Sequence, residues 1–320
     1  MWRALKSAIS KLPYPVFLRV FWLWYFLRDV RRWKAARRRA GIASLEDLDL
    51  HAVKKSEVLF ILGSGPSINR ISAERWAAIA RHDTVGFNFW LCHPFVPRLY
   101  FFEAIPQADS KTYRTYCELA NHRAADYRSV PKVVTELQHS VAGMLRDLPP
   151  EWREKLYTPR PVTVAARDEA EFAYGLRELD RRGLFEAATR IRRLFKYAGS
   201  LSSLVALAVH LRYRTVVLCG VDLATQEYFY QDPMLYPATS NLVPSPKLLP
   251  HLIFRELPWL VKIDAVLRQM RGQILEPAGI ELFVENRSSA LWPEVPEAPA
   301  SVFSAEAEGS TVGGTARRSE

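Results

Sequence analysis

Residues 57–71 read Glu-Val-Leu-Phe-Ile-Leu-Gly-Ser-Gly-Pro-Ser-Ile-Asn-Arg-Ile. Val58 to Leu62 is an apolar run of the kind that forms a strand buried on both faces of a parallel sheet. It ends abruptly in Gly63-Ser64-Gly65-Pro66-Ser67. Glycine lets the backbone turn sharply and come close to a ligand. Pro66 suits the first turn of a helix, and Ser67 can cap its free N–H groups. Strand, glycine turn and helix start together predict a cradle of backbone N–H groups at a positive dipole end, a site for phosphate. The same pattern also serves as an ordinary strand–helix turn. It is not the dinucleotide fingerprint, because position 68 is Ile, and it is not a P-loop, because no Gly-Lys-Ser/Thr comes after it.

Outward from this stretch the pattern alternates. Further strands are predicted at 84–90, 98–105, 132–136, 214–220 and 280–284, with helices at 72–81, 110–123, 201–211 and 260–271. Such alternation predicts an α/β fold, a Rossmann-like, mostly parallel sheet with helices on both faces. Ligands in such sheets sit beyond the carboxyl ends of the strands. Ser64, Asn88 and Glu103 would point there, and Asp222 comes just after the strand at 214–220. Gly199-Ser200 is a second small-residue turn, ahead of an apolar helix. Residues 140–195 are charged, lean helical and are broken by prolines. Residues 224–259, a loop rich in Tyr, Pro, Gln and Ser up to position 250, have the length of a lid or binding loop. Residues 293–320, rich in Pro, Glu, Ala, Ser and Gly, read as a disordered tail.

The net charge of +10 is local. Residues 1–39 hold eleven Lys or Arg against one acid, Asp29, and the remainder is neutral. Residues 13–27 carry Phe17, Phe21, Trp22, Trp24, Tyr25 and Phe26. The apolar run from Val20 to Leu27 is eight residues, too short for the roughly 20 that span a bilayer, and no small-residue cleavage site lies beyond it. Aromatics beside a basic cluster suit the surface of an anionic membrane. Residues 1–42 are therefore read as an amphipathic membrane-associating arm. A helix packed on the body or a partner has the same pattern, and so does an Arg-rich arm on nucleic acid, which is not the reading adopted. Cys92, Cys117 and Cys219 have neither pairing nor metal-site spacing, as in a reducing compartment.

Taken in order, these pieces resemble the bacterial sialyltransferases that use a CMP-activated sugar, and the wider set of motility-associated glycosyltransferases and an archaeal pterin diphosphokinase. The resemblance lies in Ile61-Leu62-Gly63-Ser64-Gly65-Pro66-Ser67, Gly86-Phe87-Asn88 and Tyr100-Phe101-Phe102-Glu103. It continues through Gly199-Ser200, Tyr213 and Val217-Leu218-Cys219-Gly220-Val221-Asp222-Leu223, covering roughly residues 57–290. It implies a GT-A-variant-like catalytic domain over 43–292. Gly63, Ser64 and Gly65 would then lie along the donor phosphate and ribose, and Asn88 would hold the donor sugar or phosphate. Glu103 stands where the sialyltransferases have Asn. Ser200 would bind the donor carboxylate or cytidine, and Asp222 would end the strand under the nucleotide. Tyr230 matches a tyrosine that hydrogen-bonds the departing phosphate. A second such position is Ala224, with Tyr228 as a substitute.

Phenol O–H groups aimed at the departing phosphate stabilise its charge without a metal, and no Asp-x-Asp ends a strand. No metal and no cofactor beyond the CMP-sugar donor substrate are expected. The acceptor proton needs a base, most often His near neutral pH. His251 lies in the region of the family's base, several residues farther from its helix, and Asp264 is the fallback. The expected activity is inverting, metal-independent transfer of a nonulosonic acid or Kdo from CMP to a cell-surface or lipid-linked glycan. Its place would be the cytoplasmic face of the inner membrane, held peripherally, and a homo-oligomer is compatible with the sequence. The alternatives are a metal-dependent pterin-type diphosphokinase and a non-catalytic nucleotide-binding protein on the membrane.

Overall fold

In the computed structural model, residues 12–105, 110–135, 144–225, 227–237 and 261–304 are described. Eight strands build one sheet: β1 (Ala43–Ser44), β2 (Val58–Leu62), β3 (Asp83–Phe87), β4 (Leu99–Glu103), β5 (Lys132–Thr135), β6 (Leu156–Thr158), β9 (Thr215–Cys219) and β10 (Glu281–Val284). Their order is β1-β6-β5-β4-β3-β2-β9-β10, and every pairing is parallel. Two more, β7 (Arg160–Val162) and β8 (Arg193–Phe195), pair in parallel as a separate ribbon. The longer helices among the described residues are α1 (Tyr14–Tyr25), α2 (Arg31–Ala40), α3 (Ala73–Arg81), α4 (Ser110–His122), α5 (Glu169–Asp180), α6 (Ser200–His210) and α7 (Ile263–Met270), with a π turn, Phe26–Val30, joining the first two.

The pleat explains the layers. Leu59 and Ile61 of β2 point into a core shared with α5, α6 and α7. Phe60 and Leu62 point the other way, against α3 and α4. Both faces of the central strands are covered, which is why they read as unbroken apolar runs. Every residue of α6 is buried, so this helix lies within the core. The α/β, Rossmann-like expectation holds, with shifted boundaries. The second strand stops at Phe87, because Asn88 takes a left-handed φ of 53° and opens a 3-10 turn, Asn88–Cys92. The stretch 140–195 is not mainly helical: it supplies β6, β7 and β8 around α5. These strands of three residues are too short to show a period.

Two boundaries are corrected. Residues 14–40 are not an arm detached from the body. Leu18, Val30 and Trp33 are buried. Tyr14 donates to the Ala165 carbonyl at 2.8 Å and Trp22 to that of Thr163 at 2.9 Å. Aromatic rings with a polar tip seat well at such a boundary. The outer side of this segment still exposes Val16, Leu23, Phe26 and Leu27. No described helix is long and apolar enough to cross a membrane. Nor does the expected disorder begin at 293. Residues 293–304 cover the β10 edge, with Val295 fully buried and the N–H of Ala298 bonded to the Val284 carbonyl at 2.8 Å. Closing an open sheet edge is the physical reason for this segment. Residues 305–320, and positions 226 and 238–259 of the expected lid, lie outside the described residues.

Candidate functional site

From β2 the chain proceeds to β3 on one side, while β9 and β10 lie on the other, so the strand order reverses between β2 and β9. Beyond the carboxyl ends at this switch point lies a cleft of about 330 Å³. It gathers Ser64, Gly65, Asn88, Glu103, Gly199, Ser200, Asp222, Tyr228 and Tyr230, all anticipated from sequence. It adds Phe87, Thr225, Glu227 and Ile263, which were not. Gly63, Pro66 and Ser67 stand outside this lining. His251 lies outside the described residues.

The glycine turn is largely closed by the protein's own backbone. Both glycine N–H groups are already engaged: Gly63 donates to the Cys219 carbonyl and Gly65 to the Gly220 carbonyl, both at 2.7 Å. The N–H and hydroxyl of Ser67 donate to the two carboxylate oxygens of Asp222 at 2.9 and 2.6 Å. The expected helix beyond the turn is only a 3-10 segment, Pro66–Arg70. A Cβ on Gly63 would stand 2.6 Å from the Gly220 carbonyl oxygen. The glycines are therefore needed to admit the β9 loop. Asp222, buried at the edge of the cleft and bonded to Ser67, braces this contact. The turn also positions another element, since the Ser64 carbonyl accepts from Phe229 N–H at 2.9 Å and Asn69 Nδ2 donates to the Phe229 carbonyl at 3.0 Å.

The opposite wall is different. Gly199, at φ 115°, precedes α6, whose N-terminus has no side-chain cap. Ser200 Oγ donates to Glu103 Oε1 at 2.8 Å, and Lys196 Nζ reaches the same oxygen at 2.8 Å. The carboxylate that stands in an expected Asn position is thus paired with a lysine. Lys196 was legible only as a lone cation inside Phe-Lys-Tyr-Ala-Gly-Ser. Among the described residues, five non-glycine positions take a left-handed φ, and three of them, Asn88, Ala198 and Leu223, line this cleft. Such conformations cost about 1–3 kcal/mol each and gather at functional sites. The carbonyl of Asn88 is held in place by the Tyr100 hydroxyl.

Tyr228 and Tyr230 stack with ring centroids 5.1 Å apart. Burial holds both phenols well above their ordinary value, with Tyr228 adding to the effect on Tyr230. They stay protonated and can donate hydrogen bonds. Among the described residues no histidine lines the cleft. His93 lies between Trp90 and Trp76 and is pushed down to about 4 by burial, with Arg123 adding. His210 bonds the Glu186 carbonyl in the core at 2.9 Å. Asp264 accepts from Arg268 at 2.9 Å and does not line the cleft. Among the described residues no cluster of three or more His, Cys, Asp or Glu could hold a metal. Compared with known proteins, the chain matches no family model and no curated sequence.

Proposed function

We propose that this cleft binds a CMP-activated nonulosonic sugar, sialic-acid-like or Kdo, and that the protein transfers it to a lipid-linked glycan at the cytoplasmic membrane face. The observation that carries this reading is the convergence of three strained backbone positions and the uncapped start of α6 on one cleft. The N–H groups and Ser200 hydroxyl at that helix start favour the donor's carboxylate. Asn88 holds the sugar. The protonated phenols of Tyr228 and Tyr230 aim at the phosphate oxygen that receives the electron pair as the sugar–oxygen bond breaks. The acceptor hydroxyl attacks the opposite face, giving inversion, and its proton passes to His251 or, among the described residues, to Glu227 at the cleft. The donor phosphate is assigned to the tyrosine side, because the N–H groups of Gly63, Gly65 and Ser67 are engaged.

Calorimetry with CMP in EDTA tests this. Micromolar to millimolar binding of CMP, with GTP and NAD silent, is expected. GTP binding that appears only on adding magnesium, without CMP binding, would replace the transferase by a diphosphokinase.

A further inference from the structure

The groove between α1 and the β7–β8 ribbon contains an arrangement that the cleft does not explain. Trp22, Phe26 and Leu184 give it an apolar lining, and Arg160, Arg182 and Arg193 a basic one. In the ribbon's register Arg160 stands directly opposite Arg193. Like charges held side by side on neighbouring strands repel. Arg160 Nε is buried with no hydrogen-bond partner. Burial, and then the neighbouring Arg193 and Arg192, loosen that guanidinium's hold on its proton. Among the described residues neither Arg160 nor Arg193 has an ion-pair partner. The acid alongside, Glu178, is paired with Arg181 at 2.7 Å and Arg182 at 3.4 Å. Arg182 also lies over the Trp22 ring at 4.4 Å, and Arg160 over the Phe26 ring at 5.6 Å.

Two partly desolvated guanidinium groups without a counter-ion are the signature of a site for an anion, and phosphate suits their forked donors best. The anion's carrier is indicated by the surroundings of the groove. Leu23 and Phe26 beside it are 62% and 50% exposed. The next helix presents Arg31, Arg32, Lys34, Arg38 and Arg39 to solvent. An apolar rim next to a basic face matches a membrane surface rather than a soluble phosphate.

We infer that this groove binds the phosphate headgroup of a membrane lipid between Arg160 and Arg193, with the lipid chain beside Leu23 and Phe26. The inference rests on the membrane half of the proposed function and is independent of the donor. It also joins the two sites. β8 begins at Arg193 and runs on to Lys196, the partner of Glu103, about 10 Å farther along an extended chain. A lipid-linked acceptor held by its phosphate would be anchored on the segment that leads into the cleft.

The test is flotation of the full chain with phosphatidylcholine vesicles carrying a polyprenyl monophosphate, against vesicles made equally anionic with cholesteryl hemisuccinate, a carboxylate lipid. Preference for the phosphate vesicles by roughly tenfold or more is expected. Arg160→Gln/Arg193→Gln should lose that preference and keep its binding to hemisuccinate vesicles, and Arg193→Gln alone should lose part of it. Neither variant should melt lower than the parent, because a like-charged pair is relieved. Equal binding of the parent to both vesicles, an unchanged preference in the double variant, or a marked fall in its Tm would each overturn the inference. Binding to neither vesicle would overturn it and the membrane reading together. CMP calorimetry on the same samples reports the donor reading separately.

Discussion

Two small-residue turns face each other across the cleft and do opposite things. Gly63-Ser64-Gly65 has its N–H groups tied to the β9 loop at Gly63 and Gly65, and a Cβ at either position would collide with it. Gly199-Ser200 has a left-handed glycine, no protein atom within 4 Å of a Cβ there, and an uncapped helix behind it. In sequence both are a glycine and a serine between apolar segments. Glycine admits close approach, but what approaches is decided by where the N–H groups go. On one side it is the protein's own backbone; on the other it is free space.

The largest effect should come from adding a methyl group to the closed turn. Gly63→Ala places carbon 2.6 Å from a backbone carbonyl oxygen that cannot move without displacing β9. A loss of about 3 kcal/mol in denaturant unfolding is expected. Gly199→Ala meets no atom and suffers only its φ of 115°, about 1–2 kcal/mol. A greater loss at Gly199 would break the distinction between the two turns.

Acid should expose the closed side next. The Tyr228–Gln231 turn that Ser64 holds rests on Phe229, whose ring packs on His93. His93 takes up its proton near 4 in the folded chain, against an ordinary 6.5. The unfolded chain therefore binds the proton first. The contribution of neutral His93 is complete above 6.5 and falls as pH drops toward 4, by about 2 kcal/mol at pH 5. His210, at the far end of α6, is also held low by burial. The share of His93 is thus the difference in slope between parent and His93→Gln in urea titrations from pH 7 to 4.5. Equal slopes would show that this bed carries no linkage.

How far the sequence could be read depended on which interactions are local. The central strands were legible because burial on both faces leaves a continuous apolar run. Asn88, Glu103 and Ser200 were legible because each ends or begins an element at the carboxyl edge. The missed features depend on partners far along the chain. The Tyr14 and Trp22 donors meet carbonyls more than 140 residues away, so aromatic composition alone could not separate a docked helix from a free arm. The 293–304 segment has the composition of a tail, but its backbone pairs with Val284. The glycine turn misled for the same reason: its N–H acceptors, Cys219, Gly220 and Asp222, lie some 155 residues on.

The finest test of the comparison exchanges one serine on each side for alanine. Ser67 is buried and gives both its hydroxyl and its N–H to Asp222. Ser67→Ala leaves a buried carboxylate short of one donor and should destabilise by about 1–2 kcal/mol, with CMP affinity nearly unchanged. Ser200 gives its hydroxyl to Glu103, whose Oε1 keeps Lys196 when that bond is lost. Ser200→Ala should therefore cost well under about 1 kcal/mol of stability. In the proposed complex the same hydroxyl turns to the donor, and its loss should weaken CMP binding by about tenfold, close to 1.4 kcal/mol. The two variants thus predict crossed outcomes, stability without affinity for Ser67 and affinity without stability for Ser200. If Ser67→Ala were the one to lose CMP, the glycine turn would be the nucleotide site after all, and the hydrogen bonds that now close it would have to open on binding.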